Sequence, residues 1–233
     1  MTLTKNLVPV LRKSEFDLVA TKFLEKYCPQ ALRIPMALPI ELIAVDGLHL
    51  NVEHLHITDD FSELGKIFFT DGMTEIYLDE SDEYIRRPVQ AGTVFIDQNV
   101  REKYHCGCER FTLAHECIHW DQHKPHYLLQ QPRVADDTAV AQRCPKEQCC
   151  CRAERTEEDW MEWQANGIAA AILMPKSAFL QKASEIVSDW DEGVLYSHSG
   201  AECLGFLAME LATFFEVSLQ AAKIRLAEVG YEI

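Results

Sequence analysis

Residues 110–120 read Arg-Phe-Thr-Leu-Ala-His-Glu-Cys-Ile-His-Trp, and the His-Glu-x-x-His within them constrains the fold more than any other stretch. His115 and His119 are four residues apart, so on a helix they stand one turn above each other on one face. Two neutral imidazoles at that spacing can hold one Zn²⁺ at ~2.0–2.1 Å each. Glu116 follows the first histidine and projects beside such a metal, where a general base for an activated water belongs. A catalytic zinc site also needs a third protein ligand and one open position. One straight helix rarely supplies all three ligands, so a second element must pack against this one. The plainer alternative is a helix that happens to carry His, Glu and His, and context has to separate the two.

The context favours a site. Phe111, Ala114 and Ile118, with Cys117, repeat at helical offsets, and no Gly or Pro interrupts them until Pro125. A run of β-type residues, Gly92-Thr93-Val94-Phe95-Ile96, precedes the helix and is expected to form a sheet edge against it, able to hold an extended peptide by strand addition. A metzincin would carry Gly at 122 and a third His at 125; Gln122 and Pro125 reject that class. Glu162 is the better third ligand. It opens Glu162-Trp-Gln-Ala-Asn166-Gly-Ile-Ala-Ala-Ala-Ile-Leu-Met-Pro175, a mostly apolar helix that ends at the proline. A carboxylate near an apolar helix is costly unless paired or bound to metal. Asn166, four residues on, could hydrogen-bond a ligand from behind. The alternative is a solvated helix-start acid among Glu157, Glu158 and Asp159, where acids suit the helix dipole.

Together, Arg110-Phe-Thr-Leu-Ala-His-Glu-x-x-His and Glu162-x-x-Ala-Asn-x-x-Ala-x-x-x-Leu-Met-Pro resemble the ImmA/IrrE family of bacterial zinc metallopeptidases. The likeness extends to Phe215-Glu-Val-Ser218 and Arg225-Leu-Ala-Glu-Val-Gly230, so it covers the last half to two thirds of the chain most firmly. The resemblance implies a gluzincin-type site, with His115, His119 and Glu162 as zinc ligands and Glu116 as base. It also implies a protein substrate: a helix-turn-helix transcription repressor, cut to switch mobile-element or stress genes. The chain departs from the family where Leu-Gly-His commonly follows the first His-Glu; here it is Cys117-Ile118-His119. A cysteine-rich insert at 143–152 also lengthens the path to Glu162.

The expected fold is α+β: a zincin-like domain with a small antiparallel or mixed sheet packed on the His-Glu-x-x-His helix, followed by a helical C-terminal region. Residues 1–47 hold two helices that pack on the core, over 14–27 with Ser14 as cap and over 39–46; residues 48–175 form the metallopeptidase domain; residues 176–233 are helical. Strands are expected around 50–57, 66–69 and 74–78. His54 and His56 share one strand face there, which alternation explains as the polar side of a half-buried strand. Net charge is −15, from 22 basic and 37 acidic residues, which argues against broad nucleic-acid or anionic-membrane binding. The longest apolar run, 168–174, is too short to span a bilayer, and no signal segment opens the chain, so a cytoplasmic protein is expected.

Six of the nine cysteines flank the site: Cys106, Cys108, Cys144, Cys149, Cys150 and Cys151. Their polar neighbours argue against a buried apolar role, and they are expected to converge through a second, structural metal or a disulfide. Cys117, Cys28 and Cys203 read as core packing. The terminal helices, over 200–215 and 218–229, could form a helix-turn-helix, but Lys223 and Arg225 are their only late basic residues, so packing or repressor docking is favoured over direct DNA binding. His123, His126 and Tyr127 are open alternatives for a donor to a developing oxyanion. The function expected is a zinc endopeptidase acting through Glu116. The rival is a non-catalytic repressor-binding regulator whose zinc site is structural or blocked, with Cys117 or an insert cysteine on the metal.

Overall fold

The computed structural model describes residues 2–104, 106–130, 137–145, 156–190 and 199–231. It is an α+β protein. After a 3-10 turn at Lys13–Glu15 comes helix α1 (Phe16–Tyr27). Ser14 lies inside that turn rather than capping it; the Glu15 carboxylate takes the cap role, accepting from the Arg12 N–H at 2.8 Å. A short helical turn, Ile40–Leu42, runs into a π-helical segment, Ile43–Gly47.

Among the described residues six strands follow: β1 (Asn51–Leu55), β2 (Glu63–Phe68), β3 (Gly72–Leu78), β4 (Glu83–Val89), β5 (Thr93–Asp97) and, much later in the chain, β6 (Ala141–Pro145). Four of them form a mixed sheet in the order β1-β5-β2-β6, with β1 and β5 parallel and the other pairs antiparallel. β3 and β4 make a separate hairpin. β5, expected at a sheet edge, is paired on both sides; its five residues are all buried, which explains its unbroken apolar run. The edge on the site side belongs to β6, which residue patterning does not mark as a strand.

Helix α2 (Asn99–Tyr104) leads into α3 (Cys106–Ile118), a π-helical turn at His119–His123 and α4 (Lys124–Gln130). Helix α5 (Glu157–Leu173) opens on a reciprocal cap: Thr156 Oγ1 accepts from the Asp159 N–H at 3.1 Å, and Asp159 Oδ2 accepts from the Thr156 N–H at 2.8 Å. Helices α6 (Lys176–Ser188), α7 (Gly200–Phe215) and α8 (Leu219–Val229) follow among the described residues. Ser218 caps α8, and Gly230 ends it in the left-handed conformation that glycine adopts without strain.

α3 packs on β2 and β5 on one side and on α5 on the other. Gly65 of β2 permits the first contact: a Cβ there would meet Thr112 Cγ2 at 2.7 Å and Glu116 Oε1 at 2.9 Å. Gly167 permits α1 to lie on α5, since a Cβ would run into the Phe16 ring at 2.2 Å. One apolar cluster takes in Phe16 and Phe23 of α1, Leu113 and Ile118 of α3, Ile168 and Ile172 of α5, and Phe215 and Leu226 of the terminal helices. Arg225 is buried in that packing, donating to Met174 O at 3.0 Å and pairing with Asp17. It is therefore spent on holding α8 to the body rather than offered to a nucleic acid. No helix among the described residues is long and apolar enough to cross a membrane.

Candidate metal centre

α3 and α5 bring His115, His119 and Glu162 to one point. The two Nε2 atoms are 2.9 Å apart, Glu162 Oε1 lies 3.0 Å from His119 Nε2, and Glu162 Oε2 lies 3.3 Å from His115 Nε2. Both histidines are fully buried and the Glu162 side chain is 14% exposed. Bonds of ~2.0–2.1 Å to a tetrahedral zinc would set donors about 3.4 Å apart, so the separations among these four atoms are close to the edge length of such a polyhedron.

Hydrogen bonds behind the imidazoles fix their tautomers. Gln164 Nε2 donates to Pro9 O at 2.7 Å, which leaves Gln164 Oε1 to accept from His123 Nε2–H at 3.2 Å. His123 Nδ1 then accepts from His119 Nδ1–H at 3.0 Å, so the His119 lone pair sits on Nε2. Asn166 Oδ1 accepts from His115 Nδ1–H at 3.0 Å and does the same for His115. Two lone pairs and a carboxylate thus face one point with no proton required between them. Such a cluster repels itself unless a cation fills it, and its donor set suits zinc.

The electrostatics agree. Burial alone would lower His115, but the Cys144 sulfur and the Glu162 carboxylate hold it well above the usual imidazole range. Surroundings that hold a proton so firmly favour a divalent cation at the same atom. Burial would raise Glu162, yet His115 and then His119 hold it well below the usual carboxylate range. Burial keeps His119 and His123 low, hence neutral. Glu116 is fully buried with neither carboxylate oxygen hydrogen-bonded. Burial, opposed by His115 and aided by Glu162 and Glu63, pushes it up to about 8.

The edge strand β6 reaches the same place. Gln142 Nε2 donates to Glu162 Oε1 at 2.6 Å, and the Tyr127 hydroxyl donates to Gln142 Oε1. Two residues along, the ligating atoms of Cys144, His115 and Glu116 all lie within 4.8 Å of one another. Cys144 is 8% exposed, contrary to the expectation that polar neighbours keep the insert cysteines out of the interior: its pairing with Gly65 on β2 turns it inward. Burial and then Cys144 push the Cys108 thiol up, so those two are near each other, but both are free thiols. The side chain of Cys106, and Cys149, Cys150 and Cys151, lie outside the described residues. Cys28, Cys117 and Cys203 are buried and free.

Of the donors left open, His123 is committed to His119 and Gln164, and His126 Nδ1 is bonded to Asn6 O at 2.8 Å. Tyr127 reaches the centre through Gln142. Three supporting residues are not legible in the sequence as parts of the centre: Gln142, Gln164 and His123 in its role behind His119. Only the four-residue spacing of His119 and His123 gives a signal.

Residues 151–227 match the IrrE N-terminal-like domain, a zinc-dependent peptidase family, and this supports placing the chain in the ImmA/IrrE family. The matched segment carries Glu162 and Asn166 and begins after His115–His119. No curated protein matches the chain. Among solved structures, a Mycobacterium tuberculosis transcriptional regulator is similar with 13% identity and a TM-score of 0.45, over 96% of this chain and 48% of that one. The chain thus spans about half the length of that regulator.

Proposed function

We propose that this protein is a zinc-dependent endopeptidase that cuts a bacterial transcription repressor, with His115, His119 and Glu162 as ligands and Glu116 as general base. The observation that carries the reading is the convergence of the His115, His119 and Glu162 donor atoms beside a buried, unpartnered Glu116. A zinc ion held there supplies Lewis acidity, acidifying water from 15.7 toward ~7 and polarising a carbonyl. Glu116 takes a proton from the attacking water on one of its free oxygens and returns it to the leaving amine. With both oxygens free of other hydrogen bonds, Glu116 can serve both halves of that shuttle. Asn166 and the His123–Gln164–Pro9 chain keep the imidazoles in the tautomer that presents Nε2. The ImmA/IrrE resemblance supports the repressor as substrate and the control of mobile-element or stress genes.

A second reading, a non-catalytic repressor-binding regulator with a blocked zinc site, is favoured by one observation: Cys144 lies against His115 and Glu116, where an open position would be needed.

Elemental analysis after zinc reconstitution, together with cleavage of a mixed peptide library, tests the first reading. A single zinc per chain that is lost in His115→Ala, with cleavage lost in Glu116→Gln, is expected. A Glu116→Gln variant that cleaves like its parent removes Glu116 from the chemistry. A chain that binds no zinc removes the site.

A further inference from the structure

We propose that Cys144 is a fourth protein ligand of the centre, so that edge strand β6 closes in the resting protein the coordination position that water and substrate would need. The inference rests on the zinc site proposed above.

β6 lies antiparallel to β2, with Cys144 opposite Gly65 and Gln142 opposite Ile67. Alternate strand residues share a face, so Gln142 and Cys144 point the same way while Arg143 points to the other face, where it pairs with Glu63 at 3.0 Å. That shared face meets the centre at two places. Gln142 holds Glu162 Oε1, and the Cys144 sulfur lies within ligand-cluster distance of His115 and Glu116. A strand that merely packed would present apolar side chains to α3; this one presents an amide and a thiol to two of the centre's own residues.

A buried cysteine alone would carry nothing, since thiols are common in cores. The second observation is Glu116. It is fully buried, both its oxygens lack a hydrogen-bond partner, and one of them faces Gly65, the residue paired with Cys144. A carboxylate left unpaired in the interior indicates an occupant between it and its neighbours. His115 belongs both to the His119–Glu162 group and to the Glu116–Cys144 group. A metal held by the first group would sit beside His115, and the Cys144 sulfur lies within 4.8 Å of a ligating atom of that same residue. Were zinc bound, the Cys144 thiol would release its proton to solvent and its sulfur would serve as the ligand atom. Two imidazoles, one carboxylate and one thiolate would supply the four donors of a closed zinc site. β6 also occupies the edge of β2 nearest the centre, the edge to which an extended peptide would otherwise add. Peptidase activity then requires β6 to leave.

Cobalt(II) loaded into the full chain tests this, because thiolate-to-cobalt charge transfer gives a near-ultraviolet band that nitrogen and oxygen ligands do not. Wild type is expected to bind one cobalt with that band. Cys144→Ala and the near-isosteric Cys144→Ser are expected to bind one cobalt without it, and His115→Ala to bind none. Zinc affinity should fall in both Cys144 variants by more than the ~10–100-fold that loss of an outer partner costs. Peptide cleavage by those variants should rise above wild type. Cobalt bound by wild type without a sulfur band overturns the inference and leaves the three-ligand site standing. A band that survives in Cys144→Ser or in His115→Ala places the sulfur in another site and also overturns it. Wild type that binds no cobalt overturns the inference and the proposed site together. Should Cys144→Ala lose its fold by circular dichroism, the wild-type band and Cys144→Ser decide.

Discussion

Two histidine pairs in this chain start from equivalent patterns and end differently. His115 and His119 are four residues apart and share a helix face; His54 and His56 are two apart, a spacing that predicts a shared strand face, but β1 ends at Leu55 and leaves His56 just beyond it. The helix pair is fully buried, with Nδ1 of each ring satisfied from behind and Nε2 aimed at Glu162. In the other pair, the His54 side chain is 48% exposed and its Nε2 is taken by Glu109 at 2.8 Å, while His56 Nδ1 meets the Asn99 amide at 3.2 Å. Each of these two imidazoles already has a partner for a nitrogen that would bind metal. A face-sharing spacing is therefore cheap; the distinguishing property is a buried lone pair whose opposite nitrogen is occupied. That property comes from elements far away in the chain, Asn166 and Gln164 on α5 and Pro9 before α1.

The largest expected effect breaks the helix pair itself. His115→Ala removes the donor common to both groups of ligating atoms, and zinc content should fall from one per chain to none. Retention of stoichiometric zinc would show that the spacing, and not the wiring, had misled. Glu116→Gln should follow, keeping the metal while cutting kcat by ~10²–10⁴-fold, the range of general acid–base catalysis. Measuring it in the Cys144→Ala background as well as in wild type keeps a closed resting site from masking the loss.

Much of this centre is legible in the sequence because helices announce themselves locally. Thr156 and Asp159 mark the start of α5, Pro175 its end, and Ser218 and Gly230 bracket α8. Those signals depend on residues three or four apart. β6 carries no such signal: Ala-Gln-Arg-Cys-Pro lacks both alternation and β-branched residues, and it is a strand only because β2 offers it an edge. β4 is silent for a related reason. Glu83–Val89 is mostly polar and exposed and contains Pro88, which an outer hairpin strand tolerates. The burial of Cys144 is hidden because its sequence neighbours are polar, whereas its neighbours in space are β2 and α3. The partner of His119 is invisible too, since the ring that orients it sits in a π-helical turn whose geometry is not written in residue type.

Intermediate effects sharpen the claim that occupied Nδ1 atoms define the site. Asn166→Ala leaves all three ligands in place but removes the acceptor behind His115, so the ring is free to present either nitrogen. Zinc affinity, measured by chelator competition, should drop ~10–100-fold, with unchanged stoichiometry at saturating metal. An unchanged affinity would mean that burial alone separates the helix pair from the His54 and His56 pair.

His54→Ala is expected to do least, and it tests the comparison from the other side. The His54–Glu109 contact is half exposed, so its loss should cost ~0–1 kcal/mol of stability by chemical denaturation. Glu109 retains a longer contact to Arg101, at 3.8 Å, so its carboxylate is not stranded by the change. Zinc stoichiometry, zinc affinity and library cleavage should match wild type, because the partners of His54, Glu109 and the Gln98 amide, lie outside the ligand cluster. If zinc content fell in His54→Ala, a histidine with an occupied, solvent-exposed nitrogen would be contributing to metal binding. The distinction between a face-sharing spacing and a wired lone pair would then fail at its weakest point, the residue that has one and lacks the other.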